Sequence, residues 1–287
     1  MSEVLLNNLH AVLSRLCVRA WRMTLAPVEV ELTVPLLRGV WGAALYEIDR
    51  LLYEILFEGK PLGTTGYLLR PCTQGPTAEP ALEFVLFGPL DARGLQLVWT
   101  AWDVALQRGL GPRRLPTHLQ RTQPLAWDGT LLQPSRLHPG FSLAGLPWPV
   151  RSDRPCRLVF LSPLRLLREQ QLLLSPTLAD LTLAALRRFS AQAPEAGKAS
   201  WQERSAWLEL ARRQPALPFR GQPRDLIRYS GRQRAEIELR GVVGELTLLE
   251  GPGPLADLLC AATWLHLGKS TVQGMGLMTI QGEPLSL

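Results

Sequence analysis

The chain has 287 residues, 46% of them hydrophobic and 20% charged, which excludes a disordered polypeptide and, at about 150 residues per domain, suggests two domains. Its 31 basic and 25 acidic side chains leave a net charge of +6, and only Lys60, Lys198 and Lys269 are lysines, so arginine carries the basic side. No apolar run approaches the roughly 18 residues of a membrane span, and the start MSEVLLNN lacks the basic and small-residue features of a secretory signal. A cytoplasmic protein with no membrane partner is expected.

In chain order, Ala11–Leu25 opens with a partly alternating core at Cys17–Met23 that reads as a strand, and Pro27 and Pro35 bracket a second extended piece, Val28–Val34. Leu37, Val40, Trp41, Ala44, Leu45, Ile48, Leu51, Leu52, Ile55 and Leu56 then recur at three- and four-residue steps. They predict one helix over Arg38–Phe57, ended by Gly59. Glu83–Phe87 reads as a strand and Leu95–Gln107 as a second helix, closed at Gly109-Leu110-Gly111-Pro112. The proline-rich stretch Arg113–Val150 suits short strands, turns and a linker, with the domain boundary near Val150. The pattern then restarts. Arg157–Ser162 is a strand, Pro176–Ala191 a helix, and Ala235–Leu249 two strands broken at Gly241 and Gly244. Pro254–Leu267 is a final helix, followed by a glycine-rich loop and a strand, Leu277–Gln281. Two copies of a strand-helix-strand unit predict an α+β fold of two tandem domains, 1–150 and 151–287. An insert at about 192–221 carries a predicted helix, Trp201–Arg213.

Charge is unevenly placed. Residues 1–150 hold 13 basic and 12 acidic side chains, but Arg154–Arg240 hold 16 and 8. A base-composition bias of the gene would raise arginine everywhere. A local excess of guanidiniums that fork onto phosphates points instead to a polyanion, nucleic acid above all. Arg204 and Arg212 on the insert read either as phosphate contacts or as the solvated side of an amphipathic helix with Trp201, Trp207 and Leu208 inward. Arg232 and Arg234, after Tyr229, carry the same two readings.

The cysteines Cys17, Cys72, Cys156 and Cys260 are too far apart for zinc knuckles, and the four histidines show no metal-ligand spacing, so no metal or other cofactor is expected. The loop Gly268–Gly276 (GKSTVQGMG) is not a P-loop, because it follows a helix and Thr263 stands where the required glycine would be. What remains is a turn whose missing side chains let amides approach phosphates, with one cation at Lys269, or simply a glycine helix cap. At 100° per residue, Arg38, Gly42, Tyr46, Asp49 and Tyr53 share an arc of about 80°. That face could line a site or be half-solvated surface.

Taken together, ordered segments resemble the CRISPR repeat-processing endoribonucleases of the repeat-associated mysterious protein superfamily. They are Val34–Gly42 (VPLLRGVWG), Phe84–Gly88 (FVLFG) with Gly109-Leu110-Gly111, Leu161–Arg165 (LSPLR), Leu186-Arg187-Arg188, Tyr229–Gln233 (YSGRQ), Gly241–Gly244 (GVVG), Leu265–Lys269 (LHLGK) and Gly274-Met275-Gly276. The resemblance implies two ferredoxin-like (RRM-like) domains, a glycine-rich loop holding crRNA, CRISPR repeat RNA and other effector-complex subunits as partners, and metal-independent cleavage by a 2′-hydroxyl. Many members place a histidine in or after the first helix. Here Gly42-Ala43-Ala44-Leu45-Tyr46 has none, as in divergent members of type IV systems. With histidine absent, the face found by helical counting supplies the candidate catalytic pair: Arg38, to stabilise a phosphorane, and Tyr46, to position or deprotonate the nucleophile, a phenol near pKa 10 being a poor base unless cations depress it. Arg22, Arg204, Arg212, Arg232, Arg234, Gly268, Lys269, Ser270, Gly274 and Gly276 are the implied RNA contacts. The competing expectation is a crRNA-binding subunit that does not cut.

Overall fold

The computed structural model describes residues 2–60, 65–71, 80–88, 90–230 and 235–283. The chain opens with helix α1 (Ser2–Ser14), which the sequence pattern does not predict. Leu5, Leu9, Val12 and Leu13 lie on one side of it and are buried, and that stripe packs on helices of the C-terminal half. By their contacts, residues Met1–Leu16, Ser142–Thr271 and Met275–Leu287 form one unit and Cys17–Phe141 with Val272–Gly274 the other. The division therefore falls at Phe141/Ser142 and gives α1 to the C-terminal unit, in place of one cut at Val150.

The N-terminal unit runs β1 (Cys17–Leu25), α2 (Val34–Ile48), α3 (Arg50–Tyr53), β2 (Tyr67–Pro71), β3 (Ala81–Phe87), α4 (Ala92–Arg108) and β4 (Leu119–Pro124), with the short β5 (Phe141–Ser142) also pairing β1. Its sheet order, β2-β3-β1-β4, is antiparallel throughout. This is the ferredoxin-like arrangement. Period-two alternation on β1 turns Trp21, Met23 and Leu25 to one face, where they meet Leu37, Trp41 and Leu45 of α2 and Val98, Trp99 and Trp102 of α4. Trp41 stacks on Trp102 at 5.2 Å, with Phe84 edge-on to both, so large rings fix the angle at which α2 crosses the sheet.

Two expectations fail here. Val28–Val34 is not a strand: Thr33 is the N-cap of α2, its hydroxyl accepting from the Leu36 amide, and Pro35 occupies the first turn. The single helix Arg38–Phe57 is broken at Asp49, whose backbone is extended (φ −151°, ψ 101°) and whose carboxylate accepts the Leu52 amide at 2.8 Å. An Asx cap outcompetes helix continuation there, and a π-helical turn, Glu54–Glu58, finishes the segment at Gly59.

The C-terminal unit runs β6 (Cys156–Leu164), the small hairpin β7 (Leu167–Arg168) and β8 (Gln171–Leu172), α5 (Leu178–Gln192), α6 (Pro194–Gln202), α7 (Arg204–Arg213), β9 (Arg220–Ser230), β10 (Ala235–Leu248), α8 (Ala256–Leu265) and β11 (Met278–Gly282). Order β11-β6-β10-β9 repeats the ferredoxin-like pattern. Thr177 and Asp180 form a full capping box on α5. The insert holds two helices where one was predicted, because Glu203 interrupts the run before Arg204. β10 is one strand, not two: Gly241 and Gly244 flank a register shift against β6 at Val242/Gly244 without breaking the pairing to β9. No helix among the described residues is long and apolar enough to cross a membrane.

Candidate functional site

The face deduced from α2 is assembled, although not by the continuous helix that predicted it. Arg38, Gly42 and Tyr46 follow one another on α2; after the break at Asp49, α3 brings Tyr53 back so that its ring meets that of Tyr46 at 5.1 Å, edge-on. Tyr53 in turn stacks on Phe57 at 4.8 Å. Phe57 fills the notch left by Gly42, where a Cβ would lie 2.5 Å from the ring, which explains the glycine as a packing requirement. The Arg38 guanidinium sits over Phe57, 5.1 Å from its centroid, and faces the Tyr67 hydroxyl on β2. Burial pushes the Tyr67 phenol well above its ordinary pKa and Arg38 offsets only part of that rise, so Tyr67 keeps its proton at neutral pH.

What remains open is a shallow depression of about 470 Å³ lined by Arg38, Gly42, Tyr46, Glu47, Tyr53 and Phe57 among others. Tyr46 is 47% exposed, with the Arg50 guanidinium 5.6 Å over its ring. Glu47 on the rim is held ionised by Arg108, 2.7 Å away. The site thus presents a guanidinium able to donate to an oxyanion beside two phenols able to donate or accept. No histidine lines it. Among the described residues no group of three or more His, Cys, Asp or Glu could hold a metal ion.

The other predicted contacts are scattered. Arg22 donates to Glu83 at 2.9 Å across β1 and β3, and Arg70 of β2 approaches the same carboxylate at 3.7 Å, so Arg22 is committed to an ion pair within the sheet. In the glycine-rich loop the Lys269 amide donates to the Arg165 carbonyl and the Gly276 amide to that of Pro163, both at 2.9 Å. Gly276 has φ 77°, and a Cβ there would collide with the Leu267 carbonyl. Gly274 (φ 85°) and Gly276 are buried, Gly268 and Ser270 half-buried, and the Lys269 side chain is exposed. A Cβ at Gly268 would crowd the Arg165 carbonyl and one at Gly274 the Val34 side chain, so these glycines serve close packing. Arg204 and Arg212 are exposed on α7, Arg212 with Glu209 3.8 Å away; Arg232 and Arg234 lie outside the described residues. His266 is buried at the end of α8 with Nδ1 3.0 Å from the Met275 carbonyl, a structural place. Sequence reading missed Phe57 and Tyr67, which reach the site from a π turn and another strand, and it did not single out Arg220 and Arg224, exposed four residues apart on one face of the edge strand β9.

Residues 158–278 match the family model of the CRISPR-associated endoribonuclease Cas6. Over this segment the chain is similar to the Cas6 family. Solved structures extend the likeness over the rest of the chain: a Cas6 (TTHB231) product complex (TM-score 0.61, 21% identity, 94% of this chain and 99% of that one), Thermus thermophilus Cas6 (TTHB231) (0.57, 19%, 93% and 99%), and a Cas6 (TTHA0078) product complex (0.54, 20%, 93% and 100%). At these identities the likeness is one of fold, and it agrees with the two ferredoxin-like units and the family resemblance read from sequence. A search of curated protein sequences finds no match.

Proposed function

We propose that this protein binds CRISPR repeat RNA and cuts precursor crRNA at the base of its hairpin, in the cytoplasm, holding the product for an effector complex. The observation that carries the reading is Arg38 beside Tyr46 and Tyr53 around an open depression on α2 of a Cas6-like fold. The 2′-oxygen bonds to the adjacent phosphorus while the bond from phosphorus to the 5′-oxygen breaks. The 2′-hydroxyl gives up its proton, the leaving oxygen takes one, and the ends are a 2′,3′-cyclic phosphate and a 5′-hydroxyl. Arg38 donates to the non-bridging oxygens as their charge grows. Tyr46 orients the nucleophile by a hydrogen bond, and Tyr53 holds the Tyr46 ring. No step requires a metal.

RNA affinity comes from the basic side chains left in solvent, which include Lys269, Arg204, Arg212, Arg220 and Arg224, with Ser270, Arg232 and Arg234 as further proposed contacts. One observation favours a second reading, a crRNA-binding subunit that does not cut: the depression offers phenols where an imidazole would serve as base near neutral pH. Incubation with repeat RNA in EDTA decides. A single cut that disappears with a 2′-deoxy nucleotide at the scissile position supports the nuclease; tight binding without any cut supports the structural subunit.

A further inference from the structure

The helical insert carries a cluster that neither the fold nor the α2 site uses. Arg187 on α5 and Arg204 at the start of α7 hold their guanidinium carbons 5.8 and 5.2 Å from the ring of Trp201 on α6. Trp201 is half-exposed, whereas Trp207, six residues on, is fully buried and packs the insert. Lys198 is exposed one turn before Trp201 on α6. The ion pairs of this region join Arg168 to Asp180 and Arg212 and Arg213 to Glu209. Among the described residues none neutralises Arg187, Lys198 or Arg204. The neighbouring carboxylate, Glu203, accepts from the Asn8 amide of α1 at 2.8 Å.

The frame is stiff. A Cβ at Gly197 would run into the Ser190 backbone, so α6 lies tight on α5, and the Ser190 hydroxyl donates to the Gly197 carbonyl at 3.1 Å. Arg204 is anchored by donating to the Trp201 carbonyl at 3.1 Å. An indole displayed between cations without carboxylate partners suits a flat ring bearing an adjacent anion. An unpaired nucleotide is that ligand, since only an unstacked base offers its face while its phosphates lie within reach of the guanidiniums.

We infer that Arg187, Trp201 and Arg204 form a stacking platform for one unpaired RNA nucleotide outside the hairpin, an inference that rests on the RNA-binding reading above. The test measures affinity of the full chain for repeat hairpin RNA with and without an unpaired extension of about eight nucleotides on either side. The extension should tighten wild-type binding about tenfold, the size of one stacked base. Trp201→Ala should abolish that gain while leaving hairpin affinity and melting temperature unchanged, and Trp201→Phe should restore most of it. Should Trp201→Ala lower the melting temperature, Arg187→Ala takes its place, expected to reduce the salt slope for the extended RNA by about one unit but not for the hairpin alone. No gain from the extension in the wild type, or a gain untouched by these variants, overturns the platform. Failure of the wild type to bind the hairpin at all overturns the RNA-binding reading itself.

Discussion

The face of α2 and the glycine-rich loop 268–276 read alike in the sequence, each as a patch that could meet RNA, but their polar groups are differently placed. Around α2 the rings of Tyr53, Phe57 and Tyr67 pack against one another and leave Tyr46 and part of Arg38 facing a depression. In the loop, amides and glycines are used internally: Lys269 and Gly276 donate to Arg165 and Pro163, and Gly274 and Gly276 sit at positive φ in buried positions. Glycine in a loop thus answers first to backbone geometry. A ligand site is better sought where donors remain after the fold has taken its share.

The largest expected effect tests the closed region. Gly276→Ala forces a Cβ into the Leu267 carbonyl at a left-handed φ and should cost about 2–5 kcal/mol of stability, read as a drop in the denaturant midpoint. Full stability with weakened RNA binding would reverse the assignment and make the loop a ligand cradle. A smaller effect concerns His138. Its Nδ1 accepts from the Gly140 amide and its Nε2 donates to the Leu125 carbonyl, both at 2.8 Å, and burial lowers its pKa below the usual histidine value. The unfolded chain therefore binds the proton more readily, so stability should be complete above about pH 6.5 and decline as pH falls through the folded-state value. His138→Gln should flatten that decline. Identical pH profiles for the two proteins would refute it. Smaller still, Asp49→Ala removes the cap of α3 at about 1 kcal/mol, and by loosening Tyr53 against Tyr46 it should slow cleavage a few-fold. An unchanged melting temperature would deny the cap its role.

Much of this was legible in the sequence. Helical period alone places Arg38, Gly42 and Tyr46 on one face, and the succession of periods shows two tandem α+β units, whose ferredoxin-like form follows only from the family resemblance. Local competition and tertiary closure were not visible. Asp49 sits within an apolar stripe that continues past it, so the break depends on a side-chain bond to the Leu52 amide that spacing does not reveal. α1 was missed because Asn7, Asn8 and His10 interrupt a stripe whose partner surface lies far along the chain. Phe57 in the Gly42 notch and Tyr67 opposite Arg38 are contacts between elements, and only the folded chain brings them together.

Arg38 carries the central claim. Single-turnover cleavage of repeat RNA by Arg38→Ala should be slower by roughly 10²–10³, with the dissociation constant for uncleaved 2′-deoxy RNA changed less than about threefold, because the guanidinium meets charge that exists only in the transition state. Cleavage at the wild-type rate, or a rate loss matched by an equal loss of affinity, would contradict it.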